Sequence, residues 1–155
     1  MNSKEASLSL QALSDEGFMA AALVEAREAG RAGEVPIGAV VVADGRIIGR
    51  GHNLTERLGD VTAHAEMQAL TAAAQMLGGK YLPDCTLYVT VEPCVMCAGA
   101  IGWAQVGTIV YGAADEKRGY SRFAPKAFHP KAQVKRGILE AECADEMRRF
   151  FQSRR

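Results

Sequence analysis

Between Ser14 and Gly30, in SDEGFMAAALVEAREAG, the apolar residues Phe18, Met19, Ala22, Leu23 and Ala26 recur at helical spacing. Ser14 or Asp15 can cap this helix and Gly30 can end it. The pattern then changes to two strand-like runs, PIGAVVVADGRIIGRGHN, joined at Asp44-Gly45, a dipeptide suited to a tight hairpin turn. AHAEMQALTAAAQMLGG returns to helical spacing and closes on Gly78-Gly79. TLYVTV reads as a strand, CVMCAGAIGWA as a helix and GTIVYGA as another strand. A loop is expected from about Asp115 to Lys131, then a short strand over Gln133 to Lys135 and a final helix in LEAECADEMRRFFQSRR. Residues 1–13 are expected to be a loose arm and residues 14–155 a single domain. A hairpin followed by alternating helices and strands predicts an α/β fold, a mixed sheet layered with helices.

Composition narrows the class. The chain has 155 residues, enough for one domain with a real core. With 48% hydrophobic and 23% charged residues it reads as globular and water-soluble. No run approaches the roughly 18 apolar residues of a membrane span. The start, MNSKEASLSLQALSDEG, has no apolar block after a basic stretch, so a cytoplasmic protein is expected. Its four cysteines then read as thiols or metal ligands rather than disulfides. Net charge is zero but uneven. Residues 1–116 carry 7 Lys+Arg against 14 Asp+Glu, and residues 117–155 carry 11 against 4. The basic last quarter points weakly to a polyanionic partner; a solvated helix face explains it equally well.

Two short segments carry candidate chemistry. Pro93-Cys94-x-x-Cys97 follows a strand and opens a helix. Cysteines three apart lie on one side of a helix, so both sulfurs can meet one ion. The helix N-terminus favours thiolates. A lone CxxC in this setting also fits a thioredoxin-like redox pair. Some thirty residues upstream, TAHAEMQAL places His64 and Glu66 at another helix start. A redox dithiol needs no such pair, whereas a catalytic zinc site needs three protein ligands and an open position. His64, Cys94 and Cys97 supply three, leaving Glu66 free as a proton carrier. Residues two apart are rotated by about 200° on a helix, so His64 and Glu66 cannot share a lateral face. Both can reach a site off the helix end, which places that site between two helix N-termini.

His64-Ala65-Glu66 with Pro93-Cys94-Val95-Met96-Cys97 matches the H-x-E…P-C-x-x-C signature of zinc nucleobase deaminases. EVPIGAVVV, GHN, TAHAE, TLYVT.EPCVMCAGA and ILEAEC…FF resemble the bacterial tRNA adenosine deaminases, over about Gly17 to Arg155. The resemblance implies a cytidine-deaminase-like, three-layer α/β/α fold with a mixed five-stranded sheet. It also implies one zinc ion per chain, a homodimer, and conversion of the wobble adenosine of a tRNA anticodon to inosine. Asn53 and the backbone N–H of Ala65 would hold the flipped base, and Asp115 falls where the family has a nucleic-acid-contacting aspartate. Lys117, Arg118, Arg122, Phe151, Arg154 and Arg155 are candidate RNA contacts. Three features depart from the family pattern: Ala114 replaces a basic residue, KRGYSRF replaces KTGAAGS, and Val61 replaces a proline. GAIGWA, with Trp103, resembles guanine deaminases instead, although Trp103 also reads as helix-packing core. A free-base deaminase acting on guanine or cytosine is thus the alternative substrate reading. A CxxC redox or structural-zinc protein is the alternative of another class. His52, His129, Cys85 and Cys143 read as structural, the two cysteines as small apolar residues.

Overall fold

The computed structural model describes residues 3–154, with only the backbone of residues 3–14. Met1, Asn2 and Arg155 lie outside the described residues. Five strands, β1 (Gly38–Ala43), β2 (Arg46–His52), β3 (Thr86–Val91), β4 (Thr108–Ala113) and β5 (Gln133–Arg136), form one sheet in the order β2-β1-β3-β4-β5. β1 pairs antiparallel with β2 and β3, whereas β3–β4 and β4–β5 are parallel. The sheet is mixed, as expected. Asp44 and Gly45, at φ 51° and 70°, make the predicted hairpin turn.

Strand alternation divides the core between the two faces. Ala39, Val41, Leu87, Val89, Ile109 and Tyr111 point to one face. There they meet Ala65, Ala69 and Ala73 of α3 (Ala65–Leu77) and Ala98 and Ile101 of α4 (Val95–Trp103). Val40, Val42, Tyr88 and Val110 point to the other face. They pack with Met19, Ala22 and Leu23 of α1 (Ser3–Arg31) and Cys143 of α6 (Glu140–Gln152). This is the three-layer α/β/α arrangement. The alanine face of α3 lets its backbone approach the sheet closely. A Cβ on Gly51 of β2 would lie 2.4 Å from the carbonyl oxygen of Ala65.

Differences from the sequence reading are local. α1 begins at Ser3, so residues 3–13, read as an arm, continue its backbone. SKEASLSLQAL contains neither Gly nor Pro to stop a helix. The single turns α2 (Thr55–Leu58) and α5 (Tyr120–Phe123) were not expected, being too short for a periodicity. Trp103 is not core: it is 85% exposed. α4 buries Cys97, Ala98 and Ile101, and two residues beyond Ile101 the chain has turned by about 200°. Cys85 and Cys143 are buried thiols, as expected. No helix among the described residues is long and apolar enough to cross a membrane.

Candidate active site and metal centre

The site is assembled at two helix mouths. β3 ends at Val91, and Pro93 then delivers Cys94 in extended conformation as the residue capping α4. His64 occupies the same capping position on α3, also extended. The segment between β2 and α3 is drawn back by a hydrogen bond from Leu54 N to the carbonyl of Ala63, which brings His64 beside the CxxC turn. His64 Nδ1 lies 3.6 Å from Cys94 Sγ and 3.4 Å from Cys97 Sγ. The three donor atoms lie within 4.8 Å of one another and form a group that can hold a metal ion. Two sulfurs and an imidazole nitrogen converge on one point, between two N-termini whose unpaired N–H groups favour anionic ligands.

The electrostatics of the cluster fit that reading. The Cys97 sulfhydryl, hydrogen-bonded to Cys94, lowers the Cys94 thiol to about 4. The same bond, followed by burial, pushes the Cys97 thiol up. The hydrogen bond with Cys94 raises His64. The two thiols and the imidazole thus hold protons among themselves that a cation can displace. Glu66 sits on the first turn of α3 and is only 3% exposed. Burial pushes its carboxyl up to about 7, with the Cys94 charge adding to the effect. A carboxyl in that range can both accept and return a proton near neutral pH.

The other expected substrate residues lie on the segments that follow β2 and β4 and at the start of α3. Asn53 is buried, and its Oδ1 accepts from Thr55 N at 3.2 Å. Ala65 is the first residue of α3, where a backbone N–H has no intrahelical partner. Asp115 lies beyond β4, and its Oδ1 accepts from the N–H groups of Lys117 and Arg118 at 3.1 and 3.0 Å. Asp115, Lys117, Arg118 and Phe151 line one cavity of about 660 Å³. Arg122 is exposed and donates to the Glu116 carbonyl. Arg154 stands apart: it donates to the Gly33 carbonyl and stacks on Phe150. Arg155 lies outside the described residues.

Two acids went unnoticed in the sequence. Glu34 and Glu92 are buried; Glu34 accepts from the N–H groups of Glu56 and Arg57 in α2, and Glu92 from those of Asp115 and Ser121. The available signal was an acid next to an apolar run: Glu34 before VPIGAVVV and Glu92 directly after TLYVTV. His52, read as having no separate role, pairs with Glu25 at 3.0 Å.

A mixed five-stranded sheet presenting this cluster, with a buried acid beside it, defines a deaminase-like protein. The chain belongs to the MafB19-like deaminase family, whose sequence profile matches residues 13–155. Within that class it is similar to tRNA-specific adenosine deaminases. The one from Agrobacterium fabrum is 48% identical, over 89% of this chain and 94% of its own. The chloroplastic tRNA(adenine(34)) deaminase of Arabidopsis thaliana is 48% identical over 90% of this chain, which spans 12% of that longer protein. A solved structure from studies of A-to-I editing by tRNA:A34 deaminases is 47% identical and superposes with a TM-score of 0.79, covering 84% of this chain and 98% of its own. A guanine deaminase from Bacillus subtilis is 40% identical with a TM-score of 0.61, covering 74% of this chain and 70% of its own.

Proposed function

We propose that this protein is a zinc-dependent hydrolase that deaminates the wobble adenosine of a tRNA anticodon loop to inosine. The observation that carries the reading is the convergence of His64, Cys94 and Cys97 with the buried Glu66 at the mouths of α3 and α4. The donor spacing suits zinc. A tetrahedral ion about 2.3 Å from sulfur and about 2.0–2.1 Å from nitrogen separates those atoms by about 3.6 Å, which is close to the distances in the cluster. Soft sulfur with imidazole also favours zinc over magnesium or calcium.

Bound there, zinc supplies Lewis acidity, so that a water molecule yields hydroxide near neutral pH. Glu66 takes the proton of the attacking water and delivers it to the ring nitrogen beside the reacting carbon. It then takes the proton of the hydroxyl now on that carbon and passes it to the departing amino group, so that the C–N bond breaks, ammonia leaves and a carbonyl remains. Asn53 and the N–H of Ala65 hold the extruded base, with Asn53 Nδ2 as a donor to it. Adenosine is preferred over guanine or cytosine because the similarity to tRNA-specific deaminases covers 89% of the chain at 48% identity. The cavity shared by Asp115, Lys117, Arg118 and Phe151 adds cations and an aromatic ring suited to a nucleotide strand. Lys117, Arg118, Arg122, Phe151, Arg154 and Arg155 are the proposed RNA contacts.

We place the deaminase domain at residues 14–155, with residues 1–13 as an extension. We assign the protein to the cytoplasm, where its four free thiols stay reduced. A homodimer is proposed, with exposed Val95, Met96 and Trp103 of α4 as apolar surface for a second copy; sedimentation velocity would detect it.

The deciding assay follows ammonia release from an anticodon stem-loop with adenosine at the wobble position and, separately, from guanine, cytosine and adenosine. Release from the stem-loop is expected; activity confined to free bases would refute the RNA substrate. Glu66→Ala is expected to keep about one zinc per chain and to lose roughly 10²- to 10⁴-fold or more in turnover.

A further inference from the structure

We propose that Glu92 is a positioning residue: it fastens the Asp115–Ser121 loop to the metal-binding turn so that the loop meets RNA in one preformed conformation. This rests on the RNA reading of the site. The parallel pairing of β3 with β4 ends at Val91 and Ala113. Glu92 N still donates to the Ala113 carbonyl, but Pro93 has no N–H to extend the ladder. The Glu92 side chain takes over at that point. Its Oε1 accepts from Asp115 N at 3.2 Å, and its Oε2 accepts from Ser121 N at 3.1 Å and Ser121 Oγ at 2.7 Å. Tyr120 N donates to the Pro93 carbonyl, and Cys94 forms a bridge with Gly119.

Glu92 is 5% exposed, and the hydrogen-bond partners of its carboxylate are neutral donors. An acid buried in this way is costly unless its oxygens are saturated, and these bonds require the loop. Gly119 is part of the same fit, since a Cβ there would lie 2.1 Å from Glu92 Oε2. The fastened loop carries Asp115, Lys117 and Arg118 and leads into Arg122. One side chain therefore fixes the distance between the catalytic centre and the cations proposed to meet phosphates. Preordering the loop before RNA arrives spares the complex that ordering cost.

The test uses zinc-loaded Glu92→Gln, which keeps the side-chain shape but offers one acceptor oxygen, and Ser121→Ala, which removes only the Oγ bond of an exposed residue. Backbone hydrogen exchange of the RNA-free holoenzymes should quicken at Asp115–Ser121, while zinc content and exchange in α4 stay at wild-type levels. KM for the anticodon stem-loop should rise about tenfold in Glu92→Gln and less in Ser121→Ala, with kcat changed under about threefold. Unchanged exchange in the loop overturns the proposal. So does faster exchange with unaltered KM, or a fall confined to kcat, which marks a merely structural residue. Wild-type protein that binds the stem-loop without releasing ammonia refutes the proposed reaction instead; the rise is then read in Kd for the same RNA, and an unchanged Kd overturns the role of Glu92.

Discussion

Glu66 shows how far a single side chain depends on its setting. On sequence alone a glutamate in a first helical turn is satisfied by the helix dipole. In the fold it is buried, beside two thiols and an imidazole, and its carboxyl is pushed up to about 7 by desolvation. A bound cation acts in the opposite direction and stabilises the carboxylate. The proton-accepting form is the ionised one, so turnover falls as pH drops through the carboxyl's value. A pH profile of kcat/KM for the zinc-loaded enzyme should therefore show an acid limb displaced to lower pH than the metal-free carboxyl's value, and that limb should be missing from the residual activity of Glu66→Gln. Activity that climbs on acidification would contradict the assignment of Glu66 as base. Trp103 teaches the converse: an aromatic in an apolar helix reads as core, yet its angular position puts it in solvent.

At the scale of elements, the site depends on how closely α3 lies on β2. His64 and Glu66 are placed by the first turn of α3, and that turn rests on Gly51. A methyl group there would collide with the Ala65 carbonyl, which is backbone and cannot swing aside. Gly51→Ala should cost about 1–3 kcal/mol in urea unfolding and weaken metal retention together, because the same shift moves His64 away from the cysteines. A variant equally destabilised at the far end of α3 would separate the two effects by keeping its metal. The hairpin, α3 and α4 were legible in the sequence because Asp44-Gly45, Gly78 and Pro93 mark their ends chemically. The turns α2 and α5 were not, because four residues carry no periodicity; tertiary bonds from Glu34 and Glu92 hold them or the segments beside them.

For the whole molecule, the metal is expected to join two halves of the fold. His64 belongs to the β1–β2–α3 half, and Cys94 and Cys97 to the β3–α4 half. Removing zinc with a chelator should lower Tm by several degrees, and re-addition should restore it. Binding displaces protons from Cys97 and His64, both raised in the cluster, so affinity should strengthen as pH rises from 6 to 8, by about tenfold per unit for each proton released. A Tm indifferent to chelation would show that the cluster holds no structural ion. The uneven charge acquires a location at this scale: Lys117 and Arg118 line a cavity with Phe151, far apart in sequence yet facing one another across the sheet end.

The sequence by itself determined the long helices and strands, a mixed sheet layered with helices and the chemistry of the donors, because periodicity, turn residues and ligand type are local properties. It also placed His64 and the cysteines at helix starts, from which a shared site off those ends followed. Only the tertiary structure decided which acids are buried, which cations share a cavity with Phe151 and how the loops are tied to the strands. Asp115, Ser121 and Glu92 show why: their bonds link residues 23 and 29 positions apart, and no short-range pattern encodes a distance closed by the sheet.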